Sequence, residues 1–430
     1  MKFSLISAAP ALLLASSAAF AQAPAPVGAA PAPVAAPAPV AEAPVPAPPP
    51  AIEPAPIAPP APVAAPPAPP ADAPPAPAPL APKLGISKDG FWQPAATLQF
   101  WAFGENQAGD TTTTLRIRRA ELRVKGEVIP KLLGFNVMFD PSRVLDSSAN
   151  TKLADGTTVA AANQGPLSTL QDFNVTFMSD YADVTVGQYK IPVSWEGYNS
   201  ASKLVFPERS LVSRRYGDLR DIGIKVDKKI GKSFYYQVAV FNGEGQNKLD
   251  TTAQKDGALR LEVYPVDGFM IGLLGYAGLH NRASTTATKD RLEADLRIDT
   301  ANFLFQAEYI HGWDGKTSAA RTESAGAYAL IGYTIADKIQ PVFRIGTYDP
   351  NVRKNLPGGG QFPRQLTGPL NPNSLAPTAT FGGEEVTTYE FGLNYFLRGN
   401  DAKLQASWSK YVFADTVNRG EFILAAQAAF

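Results

Sequence analysis

The sequence predicts an all-β fold: a transmembrane antiparallel β-barrel of about sixteen strands with a disordered Pro/Ala-rich N-terminal tract. Three observations carry that expectation. The chain opens with an export leader, alternates polar and apolar residues from about residue 90 onward, and joins the alternating segments by connections that switch between short and long. The expected boundaries are a signal peptide at 1–21, a Pro/Ala-rich linker at 22–83 and a barrel at 84–430.

The leader reads as Lys2, an apolar run through Leu12, Leu13 and Leu14, and a small-residue site, Ala19-Phe20-Ala21, before Gln22. Its apolar run is too short to span a bilayer. No later stretch offers the roughly eighteen to twenty apolar residues that a membrane helix needs. Cysteine is absent, so neither disulfides nor cysteine-ligated metal is expected to hold the fold. Charge balances at 39 basic and 39 acidic residues, which argues against nucleic acid as a partner and leaves any selectivity to local placement.

Residues 23–82 hold 25 of the 40 prolines, which rules out a helix and predicts an extended polyproline-like segment. At about 3.1 Å per residue such a segment reaches on the order of 190 Å, enough to cross much of a periplasm. A solvated spacer is the plain reading; a tether or contact for the cell wall is the sharper one.

Period-two alternation is clean at 291–298, where Arg291, Glu293, Asp295 and Arg297 interleave with Leu292, Ala294, Leu296 and Ile298. It recurs at 388–395, with Tyr389, Phe391, Leu393 and Tyr395 on one face, and at 402–409, with Leu404, Ala406 and Trp408. A soluble sandwich also alternates, so the connections decide. Short ones are expected at 128–131, 179–181, 228–232, 265–268, 299–301, 336–338 and 398–402. Long ones are expected near 104–112, 141–167, 191–218, 242–256, 281–288, 312–322, 349–383 and 411–418. Short turns on one rim and long loops on the other are the outer-membrane arrangement, and an even strand number returns both barrel ends to the periplasmic side. A last strand with Phe422, Leu424, Ala426 and Ala428 on alternate positions before Phe430 resembles the signal read by barrel assembly machinery. Sixteen strands close around a lumen too wide for side chains to fill, so a passive aqueous channel is the expected result. Trp92, Trp101, Tyr189, Tyr348 and Trp408 are expected to suit interfacial girdles.

Two segments could set selectivity. In TLRIRRAELRVK at 114–125, strict parity puts Arg116 and Arg118 on one face and Glu121, Arg123 and Lys125 on the other. A β-bulge near Arg119 would bring both sets into the lumen, which the cost of lipid-facing arginine favours. The alternative is a neutral lumenal network in which these arginines pair with Glu121, Glu262, Glu293 or Asp295. The second segment, 191–218, is long enough to fold into the barrel, placing Arg209, Arg214 and Arg215 beside a permeating ion. From 201 to 221, Lys203, Arg209, Arg214, Arg215 and Arg220 stand against Glu208, Asp218 and Asp221, a modest basic excess that would favour anions in a narrow passage.

The stretches LRIRRAELRVKGEVIPKLLGFNVMFDPSRV at 115–144 and VTVGQYKIPVSWEGYNSASKLVFPERSLVSRRYGDLRDIGIKV at 184–226 resemble the phosphate-selective porin O and P family. The resemblance covers about 90–430. It implies a sixteen-stranded outer-membrane barrel, assembly as a homotrimer, and passage of small anions past a constricting loop between the fifth and sixth strands. Phosphate is then a candidate permeant only, since the first strand, FWQPAATLQFWAF, carries no basic residue.

No catalytic, metal or cofactor residues are expected. His280 and His311, with Ser284 and Ser318 a few residues on, fall near loop ends and do not make a nucleophile–base–orienter set. Gly358-Gly359-Gly360 lacks the following Lys and helix of a phosphate-cradling loop, and Glu384-Glu385 would point to opposite faces of a strand. The rival to a channel is a structural outer-membrane anchor tied to the cell wall through the Pro/Ala tract.

Overall fold

The computed structural model describes residues 83–85, 89–107, 110–143, 151–152, 158–159, 169–250, 253–278, 289–315, 322–353, 385–414 and 418–430. The leader, nearly all of the Pro/Ala tract, His280, Ser284, Ser318, Gly358 to Gly360 and Glu384 lie outside them.

Sixteen strands form one closed antiparallel sheet, beside whose first strand the two-residue strand Leu84–Gly85 pairs with Phe91 and Trp92. They are β1 Phe91–Gln107, β2 Asp110–Ile129, β3 Leu133–Phe139, β4 Leu170–Phe177, β5 Asp183–Lys190, β6 Arg220–Ile230, β7 Phe234–Phe241 and β8 Asp256–Val263. The circuit continues through β9 Phe269–Gly278, β10 Lys289–Asp299, β11 Phe303–Asp314, β12 Thr322–Tyr333, β13 Ile339–Asp349, β14 Val386–Arg398, β15 Ala402–Phe413 and β16 Arg419–Ala429. Each pairs with its neighbours in sequence, and β16 closes on β1 from Arg419 opposite Gln107 to Ala429 opposite Thr97. Phe430 extends the seam by exchanging backbone hydrogen bonds of 2.8 and 3.0 Å with Ala96. Closure leaves no sheet edge, the condition for a sheet to sit in hydrocarbon.

The two faces are inverted relative to a soluble protein. Leu292, Phe391, Leu393, Leu404 and Trp408 are exposed, whereas Glu293, Asp295, Glu390, Asn394, Lys403 and Gln405 are buried. Alternation therefore puts apolar side chains toward lipid and polar ones into the lumen, as their sequence pattern predicts. Two expected long connections are shorter than anticipated: β1 and β2 run to within two residues of each other at 108–109, and β15 and β16 extend to Phe413 and Arg419.

Aromatic placement corrects one expectation. Trp408 is exposed on the outward face, but Trp101, Tyr189 and Tyr348 are 2%, 4% and 0% exposed and turn inward. Trp101 shares the inward parity of Gln99, and the guanidinium groups of Arg116 and Arg118 lie 5.5 and 5.3 Å from its ring centroid. It is part of the lumenal wall and not of a girdle.

The bulge expected in the second strand is present. Gln99 faces Arg119 and Phe100 faces Ile117, so Arg118 is the extra residue of β2. The shift changes parity at that point: Leu115, Ile117 and Leu122 stay exposed while Arg119 becomes buried.

Candidate functional site

The segment between β5 and β6 is folded into the barrel. It contains the short helix α1 Trp195–Tyr198, a 3-10 turn at Ala201–Lys203 and the helix α2 Leu211–Tyr216. Serines start all three: Ser194, Ser200 and Ser210 each accept from a backbone N–H two or three residues on, satisfying donors that would otherwise be orphaned.

Apolar packing seats the loop. Phe206, Leu211, Val212 and Tyr216 join a buried cluster with wall residues Leu274, Leu304, Ile310, Leu330 and Val342. Each fully buried aliphatic or aromatic side chain contributes about 1.5–3 kcal/mol. These wall residues break the polar pattern of the inward face where the loop lies against it. Gly326 and Gly392 make room, because a Cβ there would come within 2.7 Å of Val212 and 2.9 Å of Phe206 respectively.

Polar contacts fix the rest. Ser194, at a φ of 63° unusual for serine, donates its N–H to Glu293 at 2.7 Å, and Trp195 N donates to the same carboxylate at 3.1 Å. Arg344 grips both oxygens of Glu390 at 2.7 Å, Glu196 at 2.9 Å and the Glu208 carbonyl at 3.0 Å. At the loop's tip, Lys403 donates to the carbonyls of Ser202 and Leu204 at 3.0 and 2.7 Å, and Asn394 and Gln405 donate to that of Val205 at 2.9 and 3.0 Å. Lys403 also reaches Asn400 in the short turn between β14 and β15, so the tip lies toward the short-turn rim.

Ion pairs close the loop against β2. Arg118 donates to Glu208 through Nε and Nη2 at 3.0 and 2.8 Å, with Arg119 at 3.6 Å from the same carboxylate. Burial alone would raise the Glu208 carboxyl, but Arg118, Arg119 and Arg214 hold it below its ordinary range. Asp218, at the loop's exit, is likewise held well below against burial by Arg209, Lys190, Arg220 and Arg143.

The loop leaves a cavity of about 330 Å³ on the β2–β6 side of the lumen. Its basic lining residues are Arg123, Lys190, Arg220 and Lys225, and its acidic ones are Glu121 and Asp172. Arg220 donates to Asp172 at 2.8 Å, and Arg123 stands 3.6 Å from it.

Of the residues singled out in the sequence, Arg123 and Arg220 line this cavity. Arg116 and Arg118 stand beside Trp101. Lys125 is exposed toward the short-turn rim. Arg209 is 3% exposed and donates to Asp218 and to the carbonyls of Glu196 and Asn199. Arg214 donates to the Tyr411 hydroxyl and Arg215 to that of Tyr348, each at 3.1 Å. The lumenal acid network forms around an unanticipated cation: Arg260, fully buried, bonds Glu262, Glu293 and Asp295 at 2.7–3.0 Å. Lys190 and Lys225 were also missed, although Lys225 follows the charged parity of Asp227 along β6. His311 lies on the outward face, stacked on Trp313 at 4.2 Å and 3.1 Å from the Tyr309 hydroxyl.

Residues 96–300 match the family model of phosphate-selective porin O and P. With its closed barrel, the chain is an outer-membrane porin, a passive water-filled channel. No curated protein matches it by sequence. In fold the porin is similar to an anion-selective porin from Comamonas acidovorans, at 9% identity and TM-score 0.53 over 80% of this chain and 100% of that one. It is similar to the outer membrane channel DcaP of Acinetobacter baumannii, at 10% identity and TM-score 0.52 over 80% and 99%. A trimer form of OmpT from Vibrio cholerae aligns at 10% identity and TM-score 0.50 over 79% and 99%.

Proposed function

We propose that this porin passes small anions in preference to cations, with phosphate as a candidate permeant, through the cavity between the loop's tip and the β2–β6 wall. The observation that carries the reading is the cavity lining: four basic side chains against two acidic ones. Low-dielectric walls focus the field of such an excess on an ion forced to pass close to it. The fold shared with a porin named as anion-selective is consistent with this. The porin assembles as a homotrimer, as the trimer form of OmpT does. Its Pro/Ala tract lies in the periplasm, within reach of the cell wall.

The test is the reversal potential of the purified protein in a planar bilayer under a salt gradient, before and after Arg123→Ala with Lys225→Ala. These two cations are chosen because Lys190 and Arg220 also hold Asp218. Removing them takes the lining's formal balance from two positive to neutral, so an anion-side reversal potential is expected to fall toward zero. A cation-side potential in the unaltered protein, or no conductance from folded protein, would overturn the proposal. Closure in three equal steps reports the trimer in the same recordings.

A further inference from the structure

Beyond the loop's tip a second cavity, of about 230 Å³, opens between the loop and the β10–β11 wall. It shares Asn199 and Ser200 with the first, and is otherwise of different character. Trp195, Leu204 and Val205 give it an aromatic and aliphatic side; Arg297 and Lys203 give it positive charge. Arg297 lies two residues from the short turn that follows β10, so the cavity sits toward that rim.

Three features mark it as a site for a ligand and not a packing gap. Gln306 lines it, is 4% exposed, and its amide makes no hydrogen bond with any described residue. Its amide atoms are open to the cavity, where a bound polar group can reach them. The Arg297 guanidinium lies 4.7 Å from the Trp195 ring centroid and gives one hydrogen bond, 2.6 Å to Asp299, out of the five N–H groups it carries. The Trp195 backbone is anchored by its N–H bond to Glu293, and its ring already stands against the guanidinium. The carboxylate that lines the cavity, Glu196, is engaged elsewhere: one oxygen accepts from Arg344 at 2.9 Å and the other from the Ser210 N–H at 2.8 Å, while the exposed Asp299 pairs with one edge of Arg297.

We propose that this cavity binds a small aromatic carboxylate. Its ring packs against Trp195 and the Leu204–Val205 side, its carboxylate meets Arg297 and Lys203, and the Gln306 amide donates to it. A cavity of this size is below the range that holds drug-sized ligands, which restricts the occupant to about one ring. An aliphatic anion with the same headgroup gains the charge contacts but not the ring contacts, so the site separates solutes by shape where the first cavity separates them by charge. The inference adds a solute class to the anion preference proposed above and rests on the channel reading for access alone.

The experiment is a titration of the refolded protein in detergent, following intrinsic tryptophan fluorescence, with benzoate as probe and acetate as control. Benzoate is expected to quench saturably at concentrations where acetate does nothing. Arg297→Gln is expected to weaken the apparent affinity at least tenfold, and Gln306→Leu, which keeps the side chain's bulk, to weaken it as well. Both variants retain Trp195 as reporter, and the heat-dependent gel shift of a folded barrel controls for misfolding. Non-saturable quenching, equal responses to benzoate and acetate, or unchanged affinity in both folded variants would overturn the proposal. The readout needs no current, so a failed selectivity measurement and a failed binding measurement remain distinct.

Discussion

Glu208 shows how a single residue seats the lumenal loop. Its side chain is 15% exposed; one oxygen accepts from both Nε and Nη2 of Arg118, and the other lies 3.6 Å from Arg119. Removing one partner of such a buried pair costs about 3–5 kcal/mol, because the other charge is left in a low-dielectric place. Glu208→Gln is therefore expected to lower the thermal unfolding temperature of the detergent-refolded porin at pH 7. The pH dependence has a definite sign. A carboxyl held below its unfolded value stabilises the fold above that value, and the contribution is lost only as pH falls through the lower folded value. The ordinary value is 4.5, and the folded one lies below it. The gap between unaltered protein and Glu208→Gln should thus persist at pH 4.5 and close only in stronger acid. Melts at stepped pH check this, and convergence already at pH 5 would show that Arg118 and Arg119 do not depress the carboxyl.

At the scale of an element, the infolded loop is held by fit as much as by charge. A Cβ at Gly392 would stand 2.7 Å from Val342 and 2.9 Å from the Phe206 ring, so Gly392→Val must push Phe206 off the wall. The variant is expected to keep its barrel gel shift but to show a larger and noisier single-channel conductance. An unchanged conductance would mean that Phe206 does not set the loop's position. The strands were legible one at a time because each carries its own alternation, as β10 and β15 do. The bulge at Arg118 was legible because the charges of TLRIRRAELRVK change parity in mid-strand. Infolding of 191–218 was legible from its length. The partners of its arginines were not: Arg214 meets Tyr411 and Arg215 meets Tyr348 across 197 and 133 residues of sequence, and no local pattern encodes such a meeting. One signal was present and unread. Leu304, Ile310, Leu330 and Val342 are apolar at inward positions of strands whose outward faces are also apolar, and that break in alternation marks where a loop must cover the wall.

The whole molecule combines two segments under different physical rules, a closed sheet and a proline-rich tract. The ladder from β1 round to β16 and back lies within 91–429, so every strand finds both partners without the tract. Proline supplies no backbone N–H, and a tract holding 25 prolines in some sixty residues has little with which to build a ladder of its own. Deleting 23–82 is therefore expected to leave the folded gel shift, the single-channel conductance and the reversal potential of the porin unchanged. If the tract serves as a tether, the deletion changes one thing only: the fraction of porin that stays with the cell-wall sediment after detergent extraction of envelopes. Conductance altered by the deletion would place part of the tract in the permeation path and contradict a barrel that is complete without it. Unaltered conductance with lost sedimentation would separate the two roles, assigning transport to the barrel and attachment to the tract.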